Sequence, residues 1–272
     1  MNLQGLLVLA MITWLGGCAS VPPGGSAGGG IATPSPVDPW ENWNRKVYAF
    51  NDAIDTAVLK PVAETYRKVV PSLMRTGVSN VLGNIHDAWS AANQLLQGKV
   101  QFGLEMGMRV LTNTFFGLGG LLDPATEAGL TRRSQDFGLT LGRWGLGDGP
   151  YMVLPLLGPS TLRDTAGTVV DLQASPGRLP DTTAGRYGVT GIELVNTRAN
   201  LLSAGQLLDQ VALDKYSFVR DAYLSRRRDA LYDGAPPMES FDDSAADPPA
   251  KPTLAPPAPR PPASAASSAS PR

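Results

Sequence analysis

Few side chains in this sequence of 272 residues could carry covalent or metal chemistry. Cys18 is the only cysteine and His86 the only histidine. A lone thiol cannot close an intramolecular disulfide, but it can accept a lipid where it follows an export signal. A lone imidazole has no second His or Cys to complete a metal site. Carboxylates would have to supply every other ligand, so His86 reads as a solvated or capping side chain. It would also have to serve any serine triad by itself, and no Gly-x-Ser-x-Gly elbow stands between a strand and a helix. Carboxylates recur on the helices, yet no pair sits in a recognisable hydrolase motif. The run Phe116-Gly117-Leu118-Gly119-Gly120-Leu121-Leu122 is glycine-rich. It lacks the following Lys-Ser/Thr and a preceding strand, so it is no phosphate loop. Neither a cofactor nor a metal is expected. These residues argue against an envelope hydrolase and leave two classes open, a binding or transport protein and a structural envelope scaffold.

The position of Cys18 gives its chemistry a context. Residues 1–37 contain no charged side chain, and residues 6–15 form an apolar run with the length of a signal-peptide core, too short to span a bilayer. Leu15-Gly16-Gly17-Cys18 follows and resembles a bacterial lipobox, in which small residues admit the signal peptidase and the thiol takes the lipid. Ala19 follows, where an Asp in such lipoproteins means retention at the inner membrane. The expectation is therefore lipidation at Cys18 and export to the outer membrane. Residues 1–17 read as the signal peptide and 18–37 as a Gly/Pro/Ser tether. Residues 38–234 read as the folded part, and 235–272 as a Pro/Ala/Ser-rich disordered tail. A hydrophobic content of 43% suffices for a core. The net charge of −1, with 17% charged residues, is too balanced for nucleic-acid capture.

The elements that must position any site read as mainly helical. Asp38-Pro39-Trp40-Glu41 has the form of a capping box with proline at the first helical position. Trp43, Val47, Phe50, Ile54 and Ala57 form an apolar stripe of the kind that packs a core, and Pro61 is expected to stop that helix. Short helices are expected over 62–69, 73–82 and 87–96. A longer one is expected over 100–116, with Val100, Leu104, Met108, Leu111 and Phe115 aligned and Gly103 and Gly107 available for close approach. Asp123-Pro124 reads as the cap and first position of another helix. Residues 165–171 read as a short β-branched segment, 172–188 as a loop, and 192–208 and 213–232 as two helices. In the last, Tyr216, Val219, Tyr223 and Leu224 are expected inward, and Arg226, Arg227 and Arg228 read as favourable placement at a helix C-terminus.

One stretch fits no regular element. Residues 148–163 carry no charge between Asp148 and Arg163, and Gly and Pro recur too often for a long helix or a central strand. The run reads either as a buried core loop or as irregular backbone lining a cavity or lying at membrane depth.

A set of motifs now carries a resemblance. Asp38-Pro39-Trp40-Glu41-Asn42-Trp43-Asn44-Arg45, Phe50-Asn51, Lys60-Pro61-Val62-Ala63, Ser79-Asn80, Asn93-Gln94-Leu95-Leu96-Gln97-Gly98, Asn113-Thr114, Asp136-Phe137-Gly138, Thr140-Leu141-Gly142, Gly149-Pro150-Tyr151, Leu154-Pro155 and Leu162-Arg163-Asp164 occur in order. With the glycine run 117–120 and residues 216–226, the sequence resembles the MlaA/VacJ lipoproteins of Gram-negative bacteria over 38–234. It departs from the family pattern at Val81, where an aromatic is usual. The resemblance implies a ring of short amphipathic helices, with little or no sheet, around an amphipathic channel. It implies an outer-membrane protein, lipid-anchored and embedded from the periplasmic side. Such a protein removes phospholipid misplaced in the outer leaflet, passes it to a soluble periplasmic carrier and sits beside a trimeric porin. With that resemblance the membrane-depth reading of 148–163 is preferred. The lipid path is then expected between the hinge, at Phe115, Phe116, Leu118, Gly119 and Gly120, and the later segment, at Tyr151, Met152, Leu154 and Leu156. Arg143, Arg163 and Asp164 are expected to fix the ends of that segment or to meet a head group.

Overall fold

The structure, a computed structural model, describes residues 37–237. Cys18, the tether and nearly all of the tail lie outside the described residues. The chain is mainly helical: α1 (Glu41–Ile54), α2 (Lys60–Val69), α3 (Ser72–Leu96), α4 (Val100–Phe115), α5 (Pro124–Glu127) and α6 (Phe137–Arg143) come first. A hairpin of β1 (Tyr151–Leu154) and β2 (Gly158–Thr161) follows, then α7 (Leu162–Asp171), α8 (Thr183–Asn200), α9 (Leu202–Val211) and α10 (Lys215–Leu231). A π-helical turn, Asp55–Leu59, joins α1 to α2, and a 3-10 turn, Pro176–Arg178, precedes α8.

Several local expectations are corrected. Asp38 does not cap α1: the residue before the helix is Trp40, with no side-chain cap, and Asp38 is fully buried. There it accepts hydrogen bonds from Asn44 Nδ2 at 2.8 Å and from the Tyr216 hydroxyl. Pro61 does not stop the helix, because the π turn widens the backbone ahead of it. The Lys60 N–H reaches back to Asp55 O, which makes room for a ring that would clash in an unbroken α-helix. Residues 72–96 form one continuous helix of 25 residues instead of two short ones. The supposed β-branched segment belongs to α7, which Thr161 caps by accepting from Asp164 N at 3.2 Å. The expected loop over 172–188 already contains the start of α8, and α8 and α9 divide what read as one helix. Asp123 caps α5 as its sequence implies, accepting from Thr126 N at 3.2 Å.

Burial is inverted relative to a water-soluble bundle. Among the described residues seventeen polar side chains are buried against eleven apolar ones, and Arg109 is the largest side chain fully enclosed. On α4 the stripe Val100, Leu104, Met108, Leu111 and Phe115 is 51–75% exposed, while Gly103, Met106, Arg109 and Asn113 face inward. On α1, Trp43 and Phe50 likewise point out, and Asn44 and Val47 point in. Of the α1 stripe expected to pack a core, Val47 is buried and Ile54 half-buried, while Trp43, Phe50 and Ala57 face the surroundings. No described helix is long and apolar enough to cross a membrane. Gly103 seats against Leu95 and the Ala91 carbonyl of α3, as its lack of a Cβ permits, whereas Gly107 meets nothing.

Inside, charged and amide groups are paired, which is what makes their burial tolerable. Arg109 donates to Asp87 at 3.1 Å, to the Leu130 carbonyl at 2.6 Å and to Asp123, joining α3, α4 and the cap of α5. Two small apolar clusters complete the interior, one around Val47, Tyr151, Val153 and Tyr216, the other around Ala63, Ala199 and Leu202.

The stretch 148–163 is the hairpin. Tyr151 pairs with Thr161 and Leu154 with Gly158, and Leu156 takes a φ of 64° at the turn. Both strand ends are closed by backbone bonds from Arg163 N to Asp148 O and from Leu162 N to Pro150 O.

Candidate functional site

The helices enclose a cavity of about 880 Å³. His86 and Trp89 of α3, Gln135 and Asp136 ahead of α6, Thr168 and Asp171 of α7, and Arg186, Glu193 and Leu194 of α8 form its wall, with Arg178 of the 3-10 turn. A second chamber of about 240 Å³ lies under the hairpin, bounded by Leu154, Leu157, Pro159, Asp164, Tyr223 and Arg227. Asp136, Thr168 and Asp171 line both. The stretch of wall that borders both spaces, the neck, thus carries two carboxylates.

The local folding of this neck is legible. Asp136 caps α6 through Leu139 N at 2.9 Å, which turns its second oxygen towards α10. Helices α6 and α7 pack without side chains between them, because a Cβ on Gly167 would collide with the Gly138 backbone. That close packing brings Asp164 to the same guanidinium as Asp136. Arg227 bridges them, bonding Asp136 at 2.9 Å and Asp164 at 2.7 Å. Arg163 adds a bond at 2.9 Å to Asp164 and an ion pair with Asp148, and the Tyr223 hydroxyl donates to Asp164 at 2.7 Å. Burial pushes the Asp164 carboxyl up, but Arg227, Tyr223 and Arg163 outweigh it and hold it below its ordinary value. Asp171 differs. Its Oδ1 accepts from Trp89 Nε1 at 2.7 Å and Phe137 N at 2.9 Å, no cation among the described residues lies within ion-pair distance, and burial raises its carboxyl. His86 is exposed, as a solvated side chain would be, and meets Glu193 at 2.7 Å on the cavity wall.

The wall alternates charge with Trp89, Leu172 and Leu194, and the hairpin side adds Leu154 and Leu157. Such a surface suits an amphiphile, which has one polar end and apolar tails. No cluster of metal-ligating side chains occurs among the described residues.

The sequence-expected residues divide between this cavity and other places. Leu154 and Asp164 line the hairpin chamber. Arg163 stands behind Asp164, 3% exposed, and locks the hairpin ends rather than facing open space. Tyr151 lies fully buried in the core beside Tyr216 and Tyr223, and Met152 accepts from Thr165 through its sulfur. Leu156 is exposed at the turn and Arg143 at the end of α6. The hinge lies elsewhere: Asn80 of α3 donates to Leu121 O, Gly120 abuts Asn84, and Leu121 abuts Gly77. Phe115, Phe116 and Leu118 project outward, and Gly119, with open space around it, and Gly120 take positive φ values of 74° and 90°. Of the three arginines 226–228, Arg227 is an interior partner rather than a terminal charge.

Leu157 ends the segment 151–157 where the path was expected, whereas Thr168, Asp171, Arg178, Arg186, Glu193 and the interior role of Arg227 were missed by reading the sequence. One signal was present: Thr161-Leu162-Arg163-Asp164 has capping-box spacing and announces α7, which carries Thr168 and Asp171. The others are gathered only by the fold.

Comparison with known proteins agrees with this architecture. The model of the MlaA lipoprotein family matches residues 36–230. The intermembrane phospholipid transport system lipoprotein MlaA of Escherichia coli K12 is 37% identical over 213 residues, covering 74% of this chain and 81% of its own. The Haemophilus influenzae protein of the same name is 33% identical over 202 residues, covering 72% and 80%. A solved structure described as the structural basis for maintenance of bacterial outer membrane lipid asymmetry superposes with a TM-score of 0.62 at 37% identity. It spans 71% of this chain and 98% of the other. With these extents of match and the same helical architecture, the chain belongs to the MlaA lipoprotein family.

Proposed function

We propose that the protein is an outer-membrane lipoprotein that withdraws misplaced phospholipid from the outer leaflet for intermembrane transport, maintaining lipid asymmetry, and that the two joined chambers are the passage. It is a transport protein and performs no bond chemistry. Cys18 carries the lipid anchor, residues 18–37 form the tether, and the helices lie within the membrane from the periplasmic side. Phospholipid leaves the cavity to a soluble periplasmic carrier, and a trimeric porin holds the protein in place from outside.

The observation that carries this reading is the inverted burial. Trp43 and Phe50 of α1 and the apolar stripe of α4 face outward, where acyl chains cover them, and a cavity with an amphipathic wall lies within. Burial of such stripes in lipid recovers the free energy that a core provides in water, roughly 25 cal/mol per Å². Within the passage, Arg178 and Arg186 offer guanidinium groups to a phosphate. Trp89, Leu172, Leu194, Leu154 and Leu157 offer surface to the tails. Phe115, Phe116 and Leu118 project from the hinge into the acyl region beside α3, and glycines 119 and 120 allow that hinge to bend.

Photo-crosslinking in intact outer membranes tests the reading. Probes at Leu157 and Leu194 should each capture phospholipid. Capture at Leu104 on the outer stripe, with none at Leu157 or Leu194, would show that lipid surrounds the protein without passing through it.

A further inference from the structure

The lining of the larger chamber contains two cations and one anion without an opposite charge at ion-pair distance among the described residues. The cations are Arg178 and Arg186; the second donates through Nε only to the Pro180 carbonyl, at 2.8 Å. The anion is Asp171 at the neck. Its Oδ1 is held by Trp89 and Phe137, and among the described residues Oδ2 receives no hydrogen bond. Of the neighbouring acids, Asp136 and Asp164 are compensated by Arg227, Asp164 also by Arg163, and Glu193 meets the imidazole of His86. Among the described residues Asp171 is therefore the one lining carboxylate of either chamber with no Arg, Lys or His at ion-pair distance.

We infer that Asp171 determines head-group specificity: its free oxygen receives the ammonium of an amine-bearing phospholipid while Arg178 or Arg186 takes the phosphate. The passage then prefers zwitterionic phosphatidylethanolamine over anionic phosphatidylglycerol. This inference rests on the passage proposed above. A half-buried carboxylate beside another acid is costly unless a cation arrives, and an ammonium supplies both the charge and a donor. A glycerol head group supplies a hydroxyl but no charge, so with its phosphate on the same guanidinium it leaves Asp171 uncompensated. Position makes the effect a selective one. Asp171 borders both chambers, and a lipid moving between them passes it.

The test uses the full-length lipidated protein reconstituted in vesicles of equal phosphatidylethanolamine and phosphatidylglycerol, re-isolated, with retained lipid counted by mass spectrometry. Wild type should retain the amine lipid with roughly tenfold enrichment over the vesicle ratio, the lower end of the scale of one charge-assisted hydrogen bond. Asp171→Asn keeps an acceptor for Trp89 and Phe137 and should bring the ratio back to that of the vesicle, whereas Asp171→Glu should keep the preference. Thr168→Lys places a cation at the same neck and should shift the ratio towards phosphatidylglycerol, a gain that a merely unfolded variant would not show. A wild-type ratio equal to the vesicle's, or an Asp171→Asn protein with undiminished preference, would overturn the inference while leaving the passage standing. Retention of neither lipid by wild type would overturn the passage itself.

Discussion

Asn44 and Asn51, seven residues apart on α1, each present a side-chain amide to the hairpin as a neighbouring strand would present its backbone. Asn44 donates to Tyr151 O at 3.1 Å and accepts from Val153 N at 2.9 Å. Asn51 donates to Leu154 O at 2.9 Å and accepts from Leu156 N at 2.8 Å. Two turns of helix, at about 3.6 residues each, place both on one face. A two-stranded hairpin alone is marginal, so this edge is what lets it serve as a cavity wall.

Asn44→Ala leaves a buried carbonyl and a buried N–H of the hairpin unpaired and frees an oxygen of Asp38. The expected loss of stability is about 2–4 kcal/mol, against about 1 kcal/mol for the less buried Asn51→Ala. Thermal unfolding in detergent, followed by circular dichroism, reads the order of the two variants; equal midpoints would contradict the strand-like role of Asn44.

Arg109 is 1% exposed and carries two aspartates. Arg109→Met takes from Asp123 its cation and leaves Asp87 with Arg132 alone, and should cost about 3–5 kcal/mol. Because Asp123 ends the hinge, residues 116–123 should lose amide-exchange protection before the rest of the chain does. Uniform loss throughout would place the function of Arg109 in global stability alone.

Acid should weaken the α6, α7 and α10 junction. Asp164 has a folded-state carboxyl held below its ordinary value of 3.8. A lowered folded value means that the unfolded chain takes up the proton first. The stabilisation is then complete above that ordinary value and is lost as pH falls through it towards the folded one. Wild type should lose stability over that window, and Arg227→Met should flatten the loss. A steeper acid dependence in the variant would reverse the sign and refute the assignment.

Tyr151 separates packing from passage. Its ring is buried and its hydroxyl has no partner among the described residues. Tyr151→Phe removes an unsatisfied donor and should leave stability unchanged or raise it by about 1 kcal/mol, with normal outer-leaflet phospholipid in cells. Leu157→Trp narrows the hairpin chamber and should raise outer-leaflet phospholipid while folding stays normal. A defect for Tyr151→Phe and none for Leu157→Trp would place the passage on the other side of the hairpin.

At the hinge, Gly120 has a φ of 90°, and a Cβ there would meet Asn84 at 3.0 Å, whereas Gly119 faces open space. Gly120→Val should therefore disturb outer-leaflet lipid content more than Gly119→Ala, which carries only the strain of a left-handed backbone, about 1 kcal/mol. Equal and normal lipid content in both variants would make the hinge a passive connection.

Much was legible in the sequence because it is local. The spacing of Val100, Leu104, Met108, Leu111 and Phe115 specifies a helix with one apolar face, Asp123-Pro124 specifies a helix start, and 148–163 could not be a long regular element. Such features depend on neighbours a few residues away. The single Cys and His sufficed to argue against an enzyme, and the ordered motifs sufficed to identify the family.

What surrounds those faces was not legible. A period near 3.6 reports that polar and apolar groups are segregated, not which set faces in, and of the α1 stripe read as core Trp43 and Phe50 are exposed while Val47 is buried. Asp38 shows the same limit at one residue: its neighbours make it look like a cap, yet it is claimed by Tyr216, 178 positions away. Asp136, Asp164 and Arg227 likewise meet over separations of 91 and 63 residues. The sequence by itself determined the helices, their amphipathic faces and the family. Only the tertiary structure decided that the charges point inward and the apolar faces outward. Pairing energy accrues to buried charges only once distant helices bring partners together, and no local pattern encodes that meeting.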